Sequence, residues 1–164
     1  PVPQEFTDTC VKLLQEKGFE EVVLRDMARD DMAEVIEDAF RYDRMIVAGA
    51  SYDGGVFPCM QDFLHHLQSK AYQKRKVAIV ENGSWAPSAG KTMRAILDTM
   101  KDLEIVEPMV TIRSVMKESD IDKLNQLIKY IENNLDKEIE YKNEEEGYKL
   151  VLSELENRKE KEQR

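Results

Sequence analysis

The sequence predicts a three-layer α/β sandwich, with helices on both faces of a parallel sheet and a charged helix or tail after it. Three observations lead there. Four Val- and Ile-rich runs of strand length (Glu21–Arg25, Arg44–Ala50, Lys76–Glu81 and Ile105–Ile112) are separated by stretches in which apolar residues recur at helical spacing. Strands that alternate with helices of roughly ten to fifteen residues imply right-handed crossovers and a doubly wound parallel sheet. Finally, Met45-Ile46-Val47-Ala48 and Val77-Ala78-Ile79-Val80 are continuous rather than alternating, the pattern of strands covered on both faces. These two are the expected central strands.

The helices follow from spacing and end signals. Residues 4–17 place Phe6, Cys10, Leu13 and Leu14 on one face and stop at Gly18, a natural C-terminal cap. Residues 30–40 start at Asp30 or Asp31, either able to cap, and bury Met32, Val35, Ile36 and Phe40. Residues 58–70 open with Pro58, tolerated in a first turn, and bury Met60, Phe63, Leu64 and Leu67. Residues 88–101 have Ser88 as the candidate cap and bury Ala89, Met93, Ile96, Leu97 and Met100. Residues 119–135 bury Ile121, Leu124, Leu127, Ile128 and Ile131, giving the order αβαβαβαβα.

Length and charge bound the function. At 164 residues the chain fits one domain able to bury roughly two thirds of its unfolded surface. Glu, Lys and Asn dominate from Asp136 onward, so the expected division is a folded domain over 1–135 and a charged helical or disordered tail over 136–164. A net charge of −9 gives nucleic acid no electrostatic attraction and favours a basic partner protein. Cys10 and Cys59 have neither CxxC nor zinc-ligand spacing and are read as two free thiols in a reducing compartment. No apolar run reaches the roughly eighteen residues of a membrane span, and no signal-peptide pattern is present, so a cytoplasmic location is expected.

In a doubly wound sheet, ligands bind beyond the carboxyl ends of the strands. Two loops there carry chemistry. Ser51-Tyr52-Asp53-Gly54-Gly55 offers a hydroxyl, a ring face and adjacent glycines that permit positive φ and leave backbone N–H groups open to a planar ligand. Asn82-Gly83-Ser84-Trp85 sets the sole Trp of the chain in a loop, where it could flank a flat ligand while its neighbours meet the ligand's polar edge. The competing readings are an ordinary strand-to-helix turn for the first loop and a Trp that closes the end of the core for the second. His65 and His66 are adjacent on a helix, face different directions and are read as surface residues.

The run Tyr42 to Pro58 resembles the second flavin loop of the flavodiiron (A-type) flavoproteins, in which a small or hydroxyl residue, an aromatic and an Asn or Asp with glycine precede Phe-Pro. Val80-Glu81-Asn82-Gly83-Ser84-Trp85-Ala86-Pro87 is similar to their third loop, and with Asp62 to Leu67 the resemblance covers residues 10–132. It implies a flavodoxin-like fold and non-covalent FMN held between the Tyr52 and Trp85 loops. A backbone group near Gly54-Gly55 would face the flavin N5, and N–H groups of the third loop would face its pyrimidine edge. The implied role is electron transfer as one component of an oxygen or nitric oxide reductase. A rubredoxin or a flavin reductase would be the donor, a homodimer the implied assembly, and the di-iron centre would lie in a domain absent here. Exposed acids including Asp53, Asp62 and Glu81 could guide the donor.

The sequence departs from the family at its start. The strand and hydroxyl-rich loop that hold the FMN phosphate have no counterpart, because Pro1-Val2-Pro3 leads straight into the first helix. Either the chain is a piece of a longer protein, or the element is supplied elsewhere, Tyr148–Ser153 being the later segment with strand character. Two further functions therefore stay open: a flavin-free scaffold or interaction module, and a flavin-dependent NAD(P)H reductase.

Overall fold

Helix ends form where the residues dictate. The structure, a computed structural model, describes residues 4–19, 21–83, 87–113 and 116–133. Helix α1 (Gln4–Glu16) buries Phe6 and Cys10. It closes on Gly18 at φ +96°, with the N–H groups of Gly18 and Phe19 donating to the Gln15 and Leu14 carbonyls, a Schellman cap. Helix α2 (Met32–Arg41) starts at Asp31, whose carboxylate accepts from the Ala33 and Glu34 N–H groups, and buries Val35 and Ala39. Helix α3 (Pro58–Ser69) has Pro58 in its first turn and buries Met60, Phe63, Leu64 and Leu67, leaving His65 and His66 exposed. Helices α4 (Ala89–Leu97) and α5 (Glu118–Asn133) bury Met93 and Leu97, and Leu124, Leu127 and Ile128, respectively. No described helix is long and apolar enough to cross a membrane.

The sheet comprises β1 (Arg44–Tyr52), β2 (Gly55–Val56), β3 (Lys76–Asn82), β4 (Glu104–Ile105) and β5 (Val110–Ile112). Strands β1 and β3 run parallel in register from Arg44 opposite Lys76 to Ala50 opposite Asn82. Both β4 and β5 lie parallel along the other edge of β3. One apolar cluster joins Val47, Val77 and Ile79 to α2, α3 and α4. The other joins Ala78, Val80 and Ile112 to α1 and α5. These are the three layers of a flavodoxin-like sandwich.

Four expectations change. First, the two central strands are unequal: β3 is buried along nearly its whole length, whereas β1 is largely half-buried and meets β2 only at Ser51 and Tyr52. Second, Glu21–Arg25 is not a strand. It has no ladder partner among the described residues and is held by side chains, with the Tyr42 hydroxyl on Glu21 at 2.9 Å and Arg25 Nε on Asp38 at 2.6 Å. Third, Ile105–Ile112 divides into β4 and β5, because Pro108 lacks the N–H a ladder needs. Fourth, β2 folds back antiparallel on the end of β1 through a tight turn with Asp53 and Gly54 at φ +48° and +74°, a hairpin the sequence reading treated as loop. The expected tail, 136–164, and Tyr148–Ser153 lie outside the described residues.

Candidate functional site

The carboxyl ends of β1 and β3 meet the start of α4, and polar side chains fasten the three together. Ser51 Oγ accepts the N–H groups of Ser88 at 2.8 Å and Ala89 at 3.2 Å. Ser88 Oγ donates to the Gly55 carbonyl at 2.7 Å, so Ser88 is spent on the hairpin and does not cap its own helix. Glu81 supplies the next cap, accepting the Gly90 N–H on one carboxylate oxygen and the Thr111 hydroxyl on the other, each at 2.7 Å. A helix N-terminus attracts anions because its first N–H groups have no helical partner. Here three of those groups are taken by residues of β1 and β3, so the start of α4 serves as a structural joint.

Of the predicted site residues, the structure brings Ser51 and Gly83 against one another: a Cβ on Gly83 would stand 2.9 Å from Ser51 Oγ and 3.2 Å from Pro87 Cα. Glycine is required there for close approach rather than for its φ. The Gly83 N–H donates to the Ile112 carbonyl at 3.1 Å, which commits it to the sheet. Asn82 is the last residue of β3 and is half-buried. Ser84 and Trp85 lie outside the described residues. Tyr52, Asp53, Gly54 and Gly55 form the hairpin tip. Tyr52 is 53% exposed and meets the 38% exposed Phe57 edge to face at 5.4 Å between ring centres. Two large aromatic rings left to solvent beside a rigid turn form a surface suited to a flat ring.

Asp53 and Asp62 are exposed, as a docking role for acids needs, but Glu81 is 7% exposed and acts as an internal brace. Sequence reasoning missed a cleft of about 560 Å³ lined by the exposed cations Arg113, Lys117 and Lys123 and by the buried acids Glu81 and Asp120. Asp120 accepts the Lys117 N–H at 2.9 Å. Only the scatter of these cations over a strand end and a helix hid them. Both cysteines are free; Cys10 is buried beneath α1, and burial pushes its thiol up to about 11. Cys59 is half-buried at the start of α3.

No protein-family model matches the chain, and no curated protein does. Solved structures do. Rubredoxin:oxygen oxidoreductase from the anaerobe Desulfovibrio gigas is 15% identical with a TM-score of 0.71, over 81% of this chain and 34% of that one. A flavodoxin from the domain Archaea is 14% identical with a TM-score of 0.65, over 82% and 94%. A mutant flavo di-iron protein from Thermotoga maritima is 26% identical with a TM-score of 0.63, over 77% and 32%. The chain thus spans about a third of the length of the first and third of these. With helices on both faces of a mainly parallel sheet, and loops gathered at the strand ends, the chain is a flavodoxin-like domain similar to that of the flavodiiron proteins.

Proposed function

We propose that the chain is an FMN-binding electron-transfer module, the flavin ring lying against the Tyr52 hairpin at the carboxyl ends of β1 and β3. The observation that carries this is the exposed Tyr52–Phe57 pair on a turn fastened to α4, in a fold shared with flavodoxins. When bound, FMN supplies the redox chemistry. The chain's own residues supply position: Tyr52 covers a ring face, the Asp53-Gly54 turn offers backbone groups, and the bonds from Ser51 and Ser88 keep the hairpin from drifting. The ring contacts are the part of a flavin site that the described residues would supply. Asp53 and Asp62 would face an incoming donor such as a rubredoxin or a flavin reductase, and a reductase domain bearing the metal centre would take the electrons.

The test is a titration of the chain into FMN and, in parallel, riboflavin, following flavin fluorescence. Quenching of both is expected, with Tyr52→Ala weakening both by about tenfold, the worth of one aromatic contact. Preference for FMN would add a phosphate contact to the site. Absence of quenching with either flavin at millimolar concentration would retire the proposal in favour of the flavin-free scaffold. One observation already favours that second reading: the Gly83 N–H and both lone pairs of Ser51 Oγ are engaged within the protein.

A further inference from the structure

The cleft beside Pro87 is lined almost wholly by charged and hydroxyl side chains. Arg113 follows the last residue of β5, Lys117 precedes α5, and Ser119 and Lys123 stand four residues apart on one face of that helix. Acids outnumber Lys and Arg by 33 to 24 in this chain, so an exposed cation readily finds a carboxylate. Arg25, Arg29, Arg44, Lys76 and Arg94 each pair with one. The side chains of Arg113, Lys117 and Lys123 make no ion pair or hydrogen bond among the described residues, although all three are exposed at the same cleft. Like charges gathered round one hollow repel, and an anion placed among them relieves that repulsion.

The two acids of the cleft do not supply that anion. Glu81 accepts the Gly90 N–H and the Thr111 hydroxyl, and Asp120 accepts the Lys117 N–H, so both are buried and turned to donors of the protein. Among the described lining residues Pro87 is the one apolar side chain, which gives an apolar ligand little to bury against. A volume of about 560 Å³ suits a small molecule. The net charge of −9 opposes a nucleic acid or an anionic membrane. One guanidinium fork and two ammonium groups suit a group with several acceptor oxygens and more than one negative charge, which describes a phosphate better than a carboxylate. We propose that this cleft binds the phosphate group of a small molecule, with Arg113, Lys117 and Lys123 as its charge partners and the Ser119 hydroxyl as a further donor.

This inference does not rest on flavin binding. The test is a titration of the full chain with inorganic phosphate at constant ionic strength, following the amide signals of Thr111, Arg113 and Ser119 by nuclear magnetic resonance. Saturable shifts are expected at these amides, with a Kd in the millimolar range. Lys117→Gln combined with Lys123→Gln should weaken binding by about tenfold. Lys101→Gln combined with Lys129→Gln, which removes two exposed cations outside the cleft, should leave it within about twofold. Acetate should bind about tenfold more weakly than phosphate. Competition identifies the source of the group: displacement of phosphate by FMN but not by riboflavin assigns the cleft to the flavin's own phosphate, and displacement by neither assigns it to a separate phosphorylated molecule. Both outcomes uphold the site, and a failure of flavin to bind leaves the phosphate titration intact. Shifts that do not saturate, an equal loss in the Lys101 and Lys129 variant, acetate binding as well as phosphate, or displacement by riboflavin would each overturn the proposal.

Discussion

Replacing Glu81 tests whether the start of α4 is a joint. Its carboxylate is nearly sealed from water and accepts two hydrogen bonds at 2.7 Å, from the Gly90 N–H and the Thr111 hydroxyl. Hydrogen bonds to a charged group contribute about 1.5–3 kcal/mol each, and a buried donor left without its acceptor loses its share in full. Glu81→Ala strands the Gly90 donor and leaves a cavity, so a loss of about 4 kcal/mol is expected. Glu81→Gln keeps the shape. Its carbonyl can take the Gly90 N–H while its amide donates to Thr111 Oγ1, which turns to accept, so only the charge assistance is lost, about 1 kcal/mol. Thr111→Val should cost about 1–2 kcal/mol, and combined with Glu81→Ala the two should fall short of additive because they share a bond. Urea unfolding followed by far-ultraviolet circular dichroism, with an unchanged m-value, measures all four. If Glu81→Gln costs as much as Glu81→Ala, or if Glu81→Ala costs less than about 1 kcal/mol, the carboxylate is not bracing α4 and the reasoning fails.

Two other predictions concern the frame. Arg75 donates to the Phe40, Tyr42 and Gln73 carbonyls and lies over the Tyr72 ring at 5.3 Å, so Arg75→Lys, which replaces a fork with a point charge, should cost about 2 kcal/mol in the same urea assay. Burial raises the folded-state pKa of the Cys10 thiol from its ordinary value of 9.0 to about 11. The stability this represents is fully present below pH 9 and is lost as pH rises toward 11, the loss reaching roughly 2–3 kcal/mol at the top of that window. Unfolding titrations at pH 8 and pH 10.5 of the wild type and Cys10→Ala should therefore differ in slope with pH. At pH 8 an alkylating reagent should modify Cys59 well before Cys10.

Periodicity was enough to find the five described helices, because each has one apolar face, and Gly18, Asp31 and Pro58 mark an end of the first three. Asp31 and Gly18 act as caps through bonds within a few residues of themselves, which a sequence window contains. Ser88 shows where that logic stops. It occupies the cap position, yet the caps come from Ser51 and Glu81, residues 37 and 9 positions away in sequence for the bonds to Ser88 and Gly90. Spacing along the chain carries no trace of those bonds. The Tyr52 hairpin was visible as composition, Asp-Gly-Gly after a strand, but its β2 strand is too short to leave a pattern. Glu81 looked like an exposed acid because a charge at the end of a strand usually is one; its burial follows from α4 and β5 closing over it, an event set by tertiary packing. The basic cleft escaped for the same reason.

The two best strands carry a more general point. Met45-Ile46-Val47-Ala48 and Val77-Ala78-Ile79-Val80 have nearly the same composition, and both read as strands flanked on each side. For β3 the reading holds, with neighbours on both edges and near-complete burial. For β1 the same apolar run ends at an open edge, and Ile46 and Ala48 remain half-buried although their side chains suit an interior. An edge strand ordinarily carries charge, proline or a bulge that discourages further pairing. Between Met45 and Ala50 β1 has none of these. Composition thus reports how apolar a strand's neighbours are, and not how many strands lie beside it.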